Sequence, residues 1–411
     1  KDMQQDLKIE DLHAAEGTPR RGSNQSGMRN YNERLVLSLI RRSGPMAKAE
    51  IARRTGLSAQ TVSVIMRALE ADGLLKRGEP VRGKIGQPSI PMSLAKDGAF
   101  FLGLKVGRRS LDLVLTDFLG TVQHRMRLRH AYPTPDKTVQ FANDAIFELV
   151  QKLPKAHRAR IAGLGIALPF QLWEWAGVLG AGASEMQGWQ DRDIAVEIGA
   201  DWDFPVFMCN DATAACGAEL VFGDQAKPDD FLYIFVGFFI GGGLVLDSSL
   251  YTGRSGNAAA LGSIMVPDAD GGFSQLVDLA SLATLEATLI KSGKESAMIW
   301  DQPDSWDIPE AALEAWMSTA ASSIAHAILS ATCLIDVQCV LLDGWLPPHM
   351  RDDLLRRTQT ELARIPINGI HKPDVRAGSI GSDARVLGAA SLPLSKRFLI
   401  ERNSYQKGPS T

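Results

Sequence analysis

Cysteine is scarce in this chain. The four present, Cys209, Cys216, Cys333 and Cys339, form no CxxC pair and lie in apolar surroundings such as FPVFMCNDA and ATCLIDVQCVLLD. A disulfide-stapled scaffold is thereby excluded, and the thiols read as buried and reduced, as in a cytosolic protein. Uninterrupted apolar runs are short as well. None reaches the ~18 residues of a membrane span, and no apolar signal core opens the sequence, so no membrane partner and a cytoplasmic location are expected. Low-complexity repeats are missing. With 45% hydrophobic and 22% charged residues over 411 positions, the chain is neither disordered nor fibrous, and its length accommodates several buried cores.

The net charge of −3 conceals an asymmetry. Met28–Ile90 carry 12 Lys/Arg against 5 Asp/Glu, a surplus of seven positive charges. Everything outside that stretch is acidic on balance. A basic module joined to an acidic body points to a polyanionic partner for the module alone. Residues 1–27 are polar, with a Gly/Ser/Asn/Gln cluster, and read as a mobile tail. Three helices are expected next, over about 32–42, 48–55 and 58–72. Ser43-Gly44-Pro45 ends the first, Gly56 supplies a tight turn, and Ser58 is placed to cap the third. Val62, Ile65, Met66 and Leu69 give the third helix one apolar stripe. A basic glycine loop, Arg82-Gly83-Lys84-Ile85-Gly86-Gln87-Pro88, then separates two strand-like pieces. Three helices and a hairpin make a winged helix-turn-helix pattern. In such a motif the outward face of the third helix enters the major groove. Gln60, Thr61, Ser63 and Arg67 occupy that face. Gln suits adenine and Arg suits guanine, while Thr61 and Ser63 can reach phosphates or base edges. Lys48 is placed to meet the backbone, and Arg82 and Lys84 to meet a narrow groove or phosphates. The expected partner is double-stranded DNA.

Beyond Gly98, strands alternate with helices. Strands are expected within 100–117 and at 161–168, 204–209, 230–236, 243–247 and 339–342. Helices are expected near 138–153, 212–222, 311–336, 351–363 and 382–394. The alternation implies an α/β body, divided into two lobes at this length.

The segment EIARRTGLSAQTVSVIMRALEADGLL with RGKIGQP, followed in order by GLGIALP (163–169), GW (188–189), NDATAACGAE (210–219), IGGGLV (240–245) and IGSDARVLGAA (380–390), resembles the ROK family of repressors and sugar kinases. The resemblance spans about residues 30–395. It implies a two-lobed, actin-like (ribonuclease H-like) sugar-kinase fold behind the winged helix-turn-helix. The expected domains are 1–27 (tail), 28–95 (DNA-binding head), 96–209 with 386–400 (first lobe) and 210–385 (second lobe, for oligomerisation and ligand sensing). It also implies a homodimer or homotetramer.

The family's kinase chemistry is eroded. Its first phosphate turn, of Asp-x-Gly-Gly-Thr type, corresponds to Lys105-Val106-Gly107-Arg108-Arg109-Ser110 here. Its second, usually Gly-Thr-Gly, is Gly237-Phe238-Phe239. Phosphates need closely approachable backbone amides, which these side chains obstruct, so neither nucleotide nor other cofactor is expected. The family's catalytic base aligns with Asp211, after Asn210. A carboxylate there could take a proton from a sugar hydroxyl, hydrogen-bond it without chemistry, or cap the following helix. The sugar-binding Glu and the His that also ligates zinc are replaced by Ala260 and Ser263. The cysteine knuckle is absent, so no metal is expected. Glu185 and Trp189, with Asn210 and Asp211, are the candidate ligand contacts. The expectation is a non-enzymatic transcriptional regulator, a repressor sensing a sugar or related metabolite. An active kinase that also binds DNA, and a regulator whose body only oligomerises, are the alternatives.

Overall fold

The computed structural model describes residues 25–81, 89–175, 183–224, 228–301 and 304–400. The first 24 residues of the expected tail lie outside them, as do Arg82 and Lys84. The head consists of α1 (Gln25–Ser43), α2 (Lys48–Thr55) and α3 (Ala59–Ala71), followed by β1 (Leu75–Arg77) and β2 (Met92–Leu94). These two strands pair antiparallel with Leu75 opposite Leu94, and Met46 bridges to Met92. Gly56 turns the chain between α2 and α3 at φ 72°, a left-handed conformation that costs glycine little. The α3 stripe of Val62, Ile65, Met66 and Leu69 is buried against Val36, Ile40 and Ile51.

The first lobe is a five-stranded sheet of β3 (Phe100–Val106), β4 (Ser110–Thr116), β5 (Val122–Arg129), β6 (Ile161–Leu168) and β7 (Val206–Asn210), ordered β5-β4-β3-β6-β7. The first three strands form an antiparallel meander, and β6 and β7 continue parallel to β3. The second lobe contains β8 (Phe231–Val236), β9 (Ile240–Leu246) and β10 (Ser249–Tyr251), a small hairpin of β11 (Met265–Pro267) and β12 (Phe273–Gln275), then β13 (Cys339–Gly344) and β14 (Asp374–Ala377). Its main sheet, β10-β9-β8-β13-β14, repeats the plan of the first, with the same parallel and antiparallel steps. Two like sheets in tandem are the expected two-lobed α/β kinase fold. The helix Glu310–Ile335 is long and apolar enough to cross a membrane by length and composition. Trp316, Ala320, Ile324 and Ile328 along it are instead buried in the second lobe's core.

Two helices cross between the sheets, Asp211–Phe222 and the closing helix Ala384–Phe398. They touch backbone to backbone. A Cβ on Gly388 would stand 1.9 Å from the Ala214 carbonyl oxygen. The far end of the closing helix meets the head: Arg34 Nε donates to the Leu399 carbonyl at 2.6 Å, and the Ile400 amide donates to Ser38 Oγ at 2.9 Å. Phe101, Phe118 and Leu394 of the body share one apolar cluster with Val36 and Met66 of the head.

Candidate functional site

The outward face of α3 is assembled as its spacing predicts. Ser58 Oγ accepts the Thr61 amide at 3.1 Å and pairs with the Thr61 hydroxyl at 2.8 Å, so the cap also fixes Thr61. Gln60 and Arg67 are exposed, and Arg67 Nε reaches the Ser63 carbonyl at 3.3 Å. Lys48 Nζ lies 3.5 Å from Ser63 Oγ, which brings the start of α2 onto the same surface. Neighbouring basic groups are occupied: Arg53 by Glu50, and Arg77 bidentately by Glu70. The surface is therefore polar and cationic at its centre and braced by ion pairs around it.

The segment that the resemblance aligns with the family's first phosphate turn carries charged pairs. Lys105 is buried with its Nζ 2.6 Å from Asp112, which also accepts from Arg127. Burial pulls Lys105 down to about 8 against the opposing pull of Asp112. Burial alone would raise Asp112, but Lys105 and Arg127 outweigh it and hold that carboxyl well below its usual range. Arg108 and Arg109 leave the first lobe and meet Glu286 of the second at 3.1 and 2.9 Å. Glu286 is 5% exposed and also accepts from Trp300 Nε1 at 2.8 Å. The Arg108 guanidinium sits 4.1 Å from the ring centre of Phe238. The two segments that correspond to phosphate loops thus grip each other. The glycine triplet does not remain open either. A Cβ on Gly243 would fall 2.3 Å from Cys216 Cβ, so this glycine lets a helix lie against β9.

At the sugar end, Asn210 is the helix cap, its Oδ1 accepting the Ala212 and Thr213 amides at 3.0 and 3.2 Å. Asp211 is instead paired with Arg385 Nη1 at 3.3 Å, and Arg385 stacks over Phe235. Beside this pair, Thr213 Oγ1 and Arg385 Nε are buried and find no hydrogen-bond partner among the described residues. Trp189 joins the first lobe's core and donates Nε1 to the Pro133 carbonyl at 3.0 Å, which removes it from the cleft. Glu185 falls on the helix Ala183–Asp191, its side chain outside the described residues.

Residues 101–396 match the ROK family, and residues 29–76 match a winged helix-turn-helix DNA-binding domain. This chain belongs to the ROK family. A Sinorhizobium fredii protein is 25% identical over 90% of this ROK chain and 92% of its own length. The xylose repressor of Bacillus subtilis is 25% identical over 59% of this chain and 62% of the repressor. The crystal structure of a ROK family transcriptional regulator, a homolog of the E. coli MLC protein, aligns with 90% of this chain and 97% of its own. Its TM-score is 0.66 at 20% identity, which shows a shared fold.

Within this ROK body, Ala260 and Ser263, which the resemblance aligns with the family's sugar-binding Glu and His, are both exposed. A cavity of about 1730 Å³ lies between head and body, lined by Pro169, Phe170, Asn210 and Ser255 together with Leu35 and Leu39 of the head's α1; neither Ala260 nor Ser263 lines it. Sequence reasoning missed Glu286 and Arg385. The first had a signal, a carboxylate in the apolar stripe Leu282, Leu285, Leu289; the second stood inside a family motif and carried none.

Proposed function

We propose that this ROK protein is a DNA-binding transcriptional repressor whose kinase-like body senses a sugar or sugar-derived metabolite without phosphorylating it. The observation that carries the reading is the capped, cationic α3 face mounted on a winged head. Lys48, Gln60, Thr61, Ser63 and Arg67 would meet the major groove, with Arg82 and Lys84 toward the minor groove. The names of its relatives support repression and a sugar effector. In this reading the head ends near residue 95, and the lobes divide at 209–210 and 385–386. The protein acts in the cytoplasm as a dimer or tetramer, so that paired heads meet half-sites one or more helical turns apart.

Asn210, Asp211 and the unpartnered Thr213 and Arg385 groups are the proposed effector contacts, because a hydroxylated ligand would satisfy them. The closing helix joins the two ends: Arg385 lies at its start and the Arg34–Leu399 contact at its finish. A ligand that favours one setting of this helix shifts the head with it. Phosphotransfer is excluded from the reading by the Arg108–Glu286–Arg109 grip and by the Asp211–Arg385 pair.

The test is capture of genomic fragments by the full chain, followed by release with a panel of sugars and sugar acids. Recovery of a defined fragment, released by one panel member, is expected; uniform recovery of the genome would refute the reading. In parallel, the same panel with ATP should yield no sugar phosphate, and its formation would establish the kinase.

A further inference from the structure

We propose that the cavity between head and body is a binding site for an amphipathic organic anion, a carboxylate or phosphate carried on an aromatic or branched aliphatic frame. The head's α1 forms one wall; the loop after β6, the edge strand β7, the β9–β10 hairpin and the C-terminal half of the closing helix form the others. At about 1730 Å³ it exceeds the ~300–1,000 Å³ of an ordinary small-ligand pocket, so a monosaccharide would use little of its wall.

Its lining is apolar on large surfaces, with Phe170, Trp173, Met208, Phe222 and Leu399. Phe170 and Met208, at the adjacent ends of β6 and β7, remain 41% and 47% exposed. The charges are of one sign. Arg41, Arg42, Arg54, Lys76 and Lys396 line the cavity, and among the described residues no aspartate or glutamate does. Arg42 is answered by Asp229, outside the lining, at 2.5 Å. Arg41 lies over Phe118 and Phe222, donates to the Phe118 carbonyl, and keeps a buried Nε with no hydrogen-bond partner among the described residues. Apolar walls under a one-signed field concentrate ligands of the opposite charge. The site would take a second class of effector beside the sugar proposed above, and it rests on the regulator reading only for its effect on DNA.

The probe is 8-anilinonaphthalene-1-sulfonate, compared with uncharged N-phenyl-1-naphthylamine on the same aromatic frame, titrated by fluorescence into the full chain without DNA. One sulfonate should bind per chain, about tenfold more tightly than the amine. Lys396→Glu, an exposed substitution, should weaken it about fivefold. Lys155→Glu, remote from the cavity, should leave it unchanged, with circular dichroism confirming the fold of both variants. Equal affinity for the neutral amine, indifference to Lys396→Glu, or many weak sites would overturn the proposal. Because no DNA is present, such failure leaves the DNA-binding reading standing, and failure to bind duplexes leaves this site standing.

Discussion

Glu286 stands in an apolar stripe with Leu282, Leu285 and Leu289, where a carboxylate must find partners or give up its charge. The misfit is legible in the sequence. Its partners, Arg108 and Arg109, are not, because they lie 178 and 177 residues away on the other lobe and no local pattern reports that distance. Arg67 is the opposite case. Its outward position follows from the stripe it avoids, and the structure leaves it exposed with only a 3.3 Å backbone contact. Arg67→Ala should therefore cost about 1–3 kcal/mol of operator affinity and relax one base position. Unchanged affinity and specificity in a mobility-shift titration at fixed salt would refute the contact. His130 allows a pH test. Burial lowers it from 6.5, against the opposing effect of hydrogen bonds to the Gly107 and Arg108 backbone. The unfolded chain then binds the proton first, so His130's contribution is intact above 6.5 and is lost as pH falls below that value. His130→Gln should flatten the fall in urea midpoint between about pH 7.5 and 5.5; an unaltered slope would show that other groups set it.

Among the elements, those with a buried stripe were readable, and of the main sheets' edge strands only β7 was expected, at 204–209. The span 48–55 for α2 and 161–168 for β6 coincide with prediction, and α3 differs by one residue at each end. The edge strands β5 and β14 carry no such signal. VQHRMRLR shows water mostly polar side chains, and the Asp374–Ala377 strand has a single buried residue, so neither displays the apolar alternation that marks a strand. The closing helix was expected over 382–394 but continues to Phe398 despite Pro393, carried by packing against the first lobe. Its crossing with the Asp211–Phe222 helix depends on Gly388. Gly388→Ala should lower stability by roughly 1–3 kcal/mol through overpacking, measured as a urea midpoint. A midpoint equal to wild type would mean that the helices separate without cost and could not act as a rigid rod.

At the scale of the whole molecule, the body keeps the kinase architecture while its cleft has become a clasp. Arg108 and Arg109 bridge to Glu286, and Arg129 to Asp301, all between lobes. Removing one partner from a buried ion pair costs up to about 3–5 kcal/mol, less here because Arg109 is half-exposed. Glu286→Gln should accordingly destabilise the body while leaving duplex affinity intact; a variant as stable as wild type would show that the clasp is ornamental. Duplex recognition by the head is tested by titrating the full chain into duplex fragments across a series of salt concentrations. Saturable binding is expected, with a preference of about a thousandfold or more for one fragment over its shuffled counterpart and affinity that falls linearly with the logarithm of salt. A chain that shifts no duplex even in dilute buffer, or that holds the shuffled sequence equally well, would contradict it.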